Sequence, residues 1–219
     1  MRSDKYIIII SGLSGAGKTT VAEGLIERLG NLEMSRSATT RPKRNDGKED
    51  EYVYLTDDEF RASIACGDVL EYTEYGGNLY GTRKSEFERI FSMGRYPILV
   101  LDYVGVKSLR ELLDYPVYAF YVYTSLAEAE KRLYLRDMSD CVTEKVRSTF
   151  ERRLGENRKD YSSLSTFADR YDAFVENCDM DRCIDEICVA LDELKQGRAT
   201  MTDEDRQSII SQLSSELNQ

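Results

Sequence analysis

Residues 6 to 20, YIIIISGLSGAGKTT, limit the possible folds more than any other stretch of the chain. Tyr6 to Ile10 is a short, mostly β-branched run without polar alternation, the pattern of a strand buried on both faces of a parallel sheet. Gly12, Gly17, Lys18 and Thr19 then spell GxxxxGK[ST] between that strand and a helix-forming sequence, the context in which this spacing makes a phosphate-binding loop. Glycines let consecutive backbone N–H groups turn inward around a polyphosphate, and the helix that follows adds its positive end. Lys18 is placed to reach the β- and γ-phosphates, and the Thr19 hydroxyl to ligate Mg²⁺. Gly12, Ser14, Gly15, Ala16, Gly17, Lys18, Thr19 and Thr20 are therefore the candidate contacts for a nucleoside triphosphate.

Composition narrows the chemistry. The chain has 219 residues, enough for one α/β domain with insertions. Thirty Lys and Arg against 40 Asp and Glu leave a formal charge of −10, which disfavours nucleic acid or an anionic membrane as partner and requires a local basic cluster for any phosphate ligand. There is no histidine, which excludes imidazole general-base chemistry, Ser-His-Asp triads and histidine-bound zinc. Transfer to a phosphate oxygen survives that exclusion, because the nucleophile is already anionic. Cys66, Cys141, Cys178, Cys183 and Cys188 form no CxxC pair and read as small buried hydrophobes in a reducing cytoplasm. Neither a signal peptide nor a membrane span is visible. Monomer and homodimer both remain open.

Along the chain, apolar spacing predicts a helix over 19–29. Residues 35–48 are basic and hydroxyl-rich, with Arg36, Arg41, Lys43, Arg44 and Lys48; in so acidic a protein they suggest a second phosphate site, with Arg41 and Arg44 as forked donors. A strand over 51–55 precedes a helix over 57–64 with Thr56 and Glu59 as a capping box, and strands over 69–75 and 78–82 follow. A helix over 84–91 leads to a buried strand over 98–102, which places Asp102 at a strand end as a candidate for a Mg²⁺ water or base contact. Further on, the pattern predicts a helix over 104–113, a strand over 117–123 and a helix over 125–136 with Leu126, Ala129, Leu133 and Leu135 inward. A charged helix over 143–154, a strand over 173–175 and amphipathic helices over 183–194 and after Thr202 complete the chain. Arginines on the two helices after 125 are suited to bring positive charge onto a transferring phosphoryl group, although solvation or pairing with nearby glutamates is the ordinary alternative.

SATTRPKR (37–44), EDEYVYL (49–55), VLEYTEYGGNLYGT (69–82) and LDYVG (101–105), together with the loop, make the chain resemble the guanylate kinase family over roughly residues 6–195. The resemblance implies an α/β fold: a P-loop NTPase core (1–34, 83–124 and 160–196) whose parallel sheet is flanked by helices, a small GMP-binding insertion (35–82) and a helical lid (125–159), followed by a tail (197–219). It implies ATP-dependent phosphorylation of GMP with Mg²⁺. Arg41, Arg44, Tyr52 and Tyr80 would hold the GMP phosphate, Glu71 with Ser37 and Thr82 would read guanine beside Asp102, and Arg132, Arg136 and Arg153 would close on the phosphates with Lys18. A carboxylate accepts from both guanine N1–H and the 2-amino group, a pair adenine lacks. The sequence departs from the family pattern at Val100, Val104 and Pro42, and Asp137 stands where a glycine usually follows the lid arginine. A kinase of another phosphorylated acceptor and a non-catalytic guanylate-kinase-like binding module are the competing readings; the intact loop opposes the second, and Ser37, Glu71 and Thr82 oppose the first.

Overall fold

The isoleucines that open the chain are wholly buried, and the strand they form runs through Gly12, two residues further than hydrophobicity alone suggests. The computed structural model describes residues 5–43, 52–75, 77–138 and 143–218. In chain order the elements are β1 (Ile7–Gly12), α1 (Lys18–Leu29), β2 (Leu32–Met34), β3 (Ser37–Thr39), β4 (Tyr52–Tyr54), α2 (Asp57–Ala65), β5 (Val69–Tyr75), β6 (Asn78–Arg83) and α3 (Lys84–Ser92). They continue with β7 (Tyr96–Val100), α4 (Tyr103–Leu112), β8 (Val117–Tyr123), α5 (Leu126–Asp137), α6 (Glu144–Ser163), β9 (Ala173–Glu176), α7 (Met180–Lys195) and α8 (Asp203–Ser215). A five-stranded parallel sheet has the order β2-β7-β1-β8-β9, and a four-stranded sheet the order β4-β3-β6-β5. The chain divides into two units, residues 1–8 with 26–117 and residues 9–25 with 118–219.

In the first unit the small sheet is built from non-local pairings. β3 lies parallel to β4, with Ser37 opposite Tyr52 and Thr39 opposite Tyr54, and antiparallel to β6, with Thr39 opposite Tyr80. β5 and β6 pair antiparallel, which sets Glu71 opposite Thr82. Ala38, Phe60, Val69 and Leu79 fill the core beneath, so α2 packs its single fully buried aromatic against the sheet. Thr56 and Glu59 form the expected capping box on α2. Glu86 of α3 is buried and receives Arg36 and Arg89 at 3.0 and 2.8 Å. Arg36 is thereby spent on an internal ion pair rather than on a phosphate. β7 stops at Val100, short of Asp102, because the Asp102 carboxylate accepts from the N–H groups of Val104 and Gly105 at 3.0 and 2.9 Å and so caps α4.

The second unit holds the end of β1, most of α1 and of β8, then α5, α6, β9, α7 and α8. Tyr121, Tyr171 and Phe174 meet with ring centroids 5.1 to 5.8 Å apart, and the Tyr171 hydroxyl lies 2.9 Å from Ser11 Oγ. On α5, Ala129 and Leu133 are buried but Leu135 is 61% exposed, contrary to expectation. Two residues turn a helix by about 200°, so Leu135 points opposite to Leu133. α6 runs through Ser163, well past the expected end at 154, because Asn157 and Tyr161 one turn apart are pinned by long-range hydrogen bonds. The tail docks within this unit: Ile210 and Leu213 are buried, Arg206 donates to the carbonyls of Ala168 and Tyr171, and Glu216 accepts from Leu126 N–H at 2.7 Å at the start of α5. Of the described cysteines only Cys183 is buried, while Cys66 and Cys178 are exposed, which corrects their reading as uniformly interior.

Candidate active site

Sharp backbone geometry comes first at the phosphate loop. Gly12 has φ 135° and a Cβ there would lie 1.9 Å from the Val122 carbonyl oxygen; Gly17 has φ 85° and its Cβ would lie 2.5 Å from Asn177 Nδ2. Only glycine permits both the dihedral and the approach. A cavity of about 330 Å³ opens over the loop, lined by Ser14, Gly15, Gly17, Lys18, Thr19, Thr20, Arg132, Arg136 and Arg153. Among the candidate ATP contacts, Gly12 and the buried Ala16 lie beneath that surface and shape the loop. Lys18 Nζ donates to the carbonyls of Gly12 and Leu13 at 2.9 and 2.7 Å. Burial pushes its pKa down to about 8; Asp160 opposes that shift, and the charges of Arg136 and Arg153 add to it.

Two buried asparagines that sequence reasoning missed hold the loop. Asn157 takes the Ser14 N–H on Oδ1 at 2.9 Å and gives Nδ2 to the Ser14 carbonyl at 2.8 Å, while Asn177 Nδ2 donates to the Ala16 carbonyl at 2.8 Å. Their only sequence signal is a polar residue on an otherwise inward helix face and at the end of a core strand, which is weak without coordinates. Arg132 is oriented by Glu128, at 2.9 Å, and by the Asn177 carbonyl, at 3.1 Å. Arg136 and Arg153 come from α5 and α6, and both reach the Asp137 carboxylate. The structure places these three arginines and Lys18 on the wall of one cavity.

A second cluster lies in the first unit. The Arg41 guanidinium sits 5.2 Å from the Tyr52 ring centroid and donates to the Tyr54 hydroxyl at 3.4 Å, and Tyr52 packs edge-on to Tyr80 at 6.1 Å. Arg41 Nε is buried with no hydrogen-bond partner among the described residues. Such a donor costs about 1–3 kcal/mol until an acceptor arrives, which suits an anion site. Tyr54 is a further contact residue that the alternation of the 52–54 strand could have revealed. Arg44 lies outside the described residues. Thr82 Oγ1 donates to Glu71 Oε1 at 2.5 Å, and burial raises the Glu71 pKa, helped by the nearby charge of Asp102. Ser37 stands beside Tyr52 in the register with β4, and on the β6 side it lies one step beyond the Ala38–Gly81 pair, in the direction of Thr82. Asp102 reaches this cluster through its field, while one carboxylate oxygen is committed to the α4 cap.

For a divalent metal, the exposed Thr19 hydroxyl at the first turn of α1 is one oxygen donor at the loop, beside the hydroxyls of Ser14 and Thr20; no group of three or more acidic, cysteine or histidine residues suited to an ion occurs among the described residues. One hydroxyl oxygen fits an ion that takes its other ligands from water and substrate phosphates.

A family model described as guanylate kinase matches residues 4–194. A guanylate kinase of Wolbachia sp. subsp. Brugia malayi (strain TRS) is 34% identical over 201 residues, covering 91% of this chain and 98% of that protein. One from Rhodopseudomonas palustris (strain BisB18) is 36% identical over 199 residues, covering 89% and 86%. In fold, the chain is similar to the crystal structure of guanylate kinase from Anaplasma phagocytophilum, with a TM-score of 0.62, 24% identity and 98% coverage of both chains. With the loop, the arginine-lined cavity and these likenesses taken together, the chain belongs to the guanylate kinase family.

Proposed function

We propose that the protein transfers the γ-phosphoryl group of ATP to GMP, giving ADP and GDP. The observation that carries this reading is the meeting of Lys18, Arg132, Arg136 and Arg153 over the glycine loop. An anionic phosphate oxygen of GMP forms the new bond to the γ-phosphorus while the bond to the β–γ bridging oxygen breaks and ADP departs; no base is required. Lys18 and the three arginines neutralise the charge that spreads over the phosphoryl oxygens. Gly12, Ser14, Gly15, Ala16, Gly17 and Thr20 shape the donor loop. Arg41, Arg44, Tyr52 and Tyr80 hold the acceptor phosphate, in a lobe spanning 35–82. Glu71 accepts from guanine N1–H and the 2-amino group, with Thr82 and Ser37 beside it and Asp102 raising its basicity.

Reactions of this family need a divalent metal. We assign Mg²⁺, with the Thr19 hydroxyl as its protein ligand; when bound, it supplies charge neutralisation on the donor phosphates. Among the described residues no helix is long and apolar enough to cross a membrane. The exposed thiols of Cys66 and Cys178 suit a reducing compartment, and we place the protein in the cytoplasm. The intact loop and the Glu71–Thr82 pair disfavour a non-catalytic module or a sugar-phosphate acceptor. A coupled ADP-release assay with GMP, AMP, UMP and CMP as separate acceptors tests the reading: GMP alone should be turned over efficiently, and equal rates for all four, or none, would overturn it.

A further inference from the structure

The last residue of α5, Asp137, is where two of the cavity arginines are tied down. Arg136 gives Nε to Oδ1 at 2.8 Å and a terminal nitrogen to Oδ2 at 3.4 Å, and Arg153 of α6 gives a terminal nitrogen to Oδ2 at 2.5 Å. The Asp137 side chain is 14% exposed, against 56% and 31% for the two arginines, so the carboxylate lies inside the pair rather than in solvent. Two oxygens shared between two guanidinium groups reproduce what one face of a phosphate offers, and the hydrogens they occupy are ones a polyphosphate would take. Arg132 differs: Glu128 and the Asn177 carbonyl hold it, with no recourse to Asp137. The positive charges of Arg136 and Arg153 are felt at Lys18, so the pair belongs to the same field as the loop lysine. Without a neighbouring anion, that concentration of like charge would be self-repelling.

We propose that Asp137 is a resident counter-ion that takes the place of nucleotide phosphate between Arg136 and Arg153 and competes with the donor's polyphosphate for them, lowering donor affinity in exchange for a settled ligand-free pocket. The proposal rests on the reading that this cavity receives the donor triphosphate. It requires no covalent step. Donor binding exchanges carboxylate–guanidinium hydrogen bonds for phosphate–guanidinium ones.

The test uses the full chain and calorimetric titration with two probes, a non-hydrolysable β,γ-imido analogue of ATP and inorganic tripolyphosphate, on the native protein, Asp137→Asn and Asp137→Glu. Asp137→Asn keeps the shape and removes the charge, so it should bind both probes about five-fold more tightly. Asp137→Glu should stay near the native affinity, and GMP affinity should be the same in all three. The steady-state KM for ATP should fall in Asp137→Asn by a similar factor. Unchanged or weaker probe binding by Asp137→Asn, with native binding intact and thermal stability retained, would overturn the proposal alone and make the residue inert or a simple brace. If the native protein bound neither probe, the reading of the cavity would fall and the proposal with it.

Discussion

Lys18 carries two obligations that pull against each other, since it must be charged to meet a triphosphate yet sits where burial and two arginines favour its neutral form. With a pKa of about 8, free Lys18 loses its proton as pH rises through that value, whereas an anionic ligand holds the proton on. The catalytic efficiency for ATP, kcat/KM, should therefore decline above pH 8, while kcat at saturating ATP declines only at higher pH. A flat kcat/KM profile to pH 9.5 would count against Lys18 as the titrating group. Glu71 titrates in the opposite sense. In the guanine-reading role proposed for it, its raised pKa means that the carboxylate is lost earlier on acidification than in an ordinary glutamate, so KM for GMP should begin to rise at a pH above the ordinary value of 4.5. Glu71→Gln should lower kcat/KM for GMP by about 10²-fold, equivalent to about 3 kcal/mol, and should flatten that acid limb.

Elements that depend on near neighbours were legible in the sequence; those that depend on distant ones were not. β1, the loop and α1 follow from contiguous residues, and the capping boxes at Thr56 and Thr202 each lie within four residues of sequence. β2 and β3 went unseen because LEM and SAT lack the aromatic and β-branched run that marks the equally short Tyr52–Tyr54 strand, and β3 exists through partners at Tyr52 and Tyr80. Likewise, Asn157 supports a peptide 143 residues away, and the tie between Asp137 and Arg153 spans 16 residues, neither of which a hydrophobic pattern encodes. Glu86 on α3 belongs to the same class. Burial alone would raise its pKa, but hydrogen bonds from Arg89 and Arg36 carry it down to about 2. The ion pair thus contributes stability that is present above the unfolded-state value of 4.5 and fades as pH falls toward 2. Glu86→Gln should cost about 1–3 kcal/mol at pH 7, allowing for the partial exposure of both arginines, and the gap to the native protein in urea unfolding should close as pH falls from 4.5 to 2.

At the scale of the whole molecule, a chain of formal charge −10 nevertheless gathers Lys18, Arg132, Arg136 and Arg153 around one cavity. The segment after Gly197 is a working part of the second unit, since it covers Tyr171 and Phe174 through Arg206 and buries Ile210 and Leu213. Removing residues 197–219 should lower the melting temperature by several degrees or more, because burying each of those two apolar side chains is worth about 1.5–3 kcal/mol. An unaltered melting curve would show that the segment adds nothing. One contact of that segment also sets a timetable. Leu126 N–H waits for Glu216, 90 residues downstream, whereas Glu128 N–H in the same turn is capped by the neighbouring Ser125 hydroxyl. At ribosomal speeds of about 5–20 residues per second, the nascent chain spends roughly 5–18 seconds without the Glu216 contact. The arginine-bearing helix therefore acquires this N-terminal contact only after the tail has been made, when Asn157 and Asn177, the supports of the phosphate loop, are already in the chain.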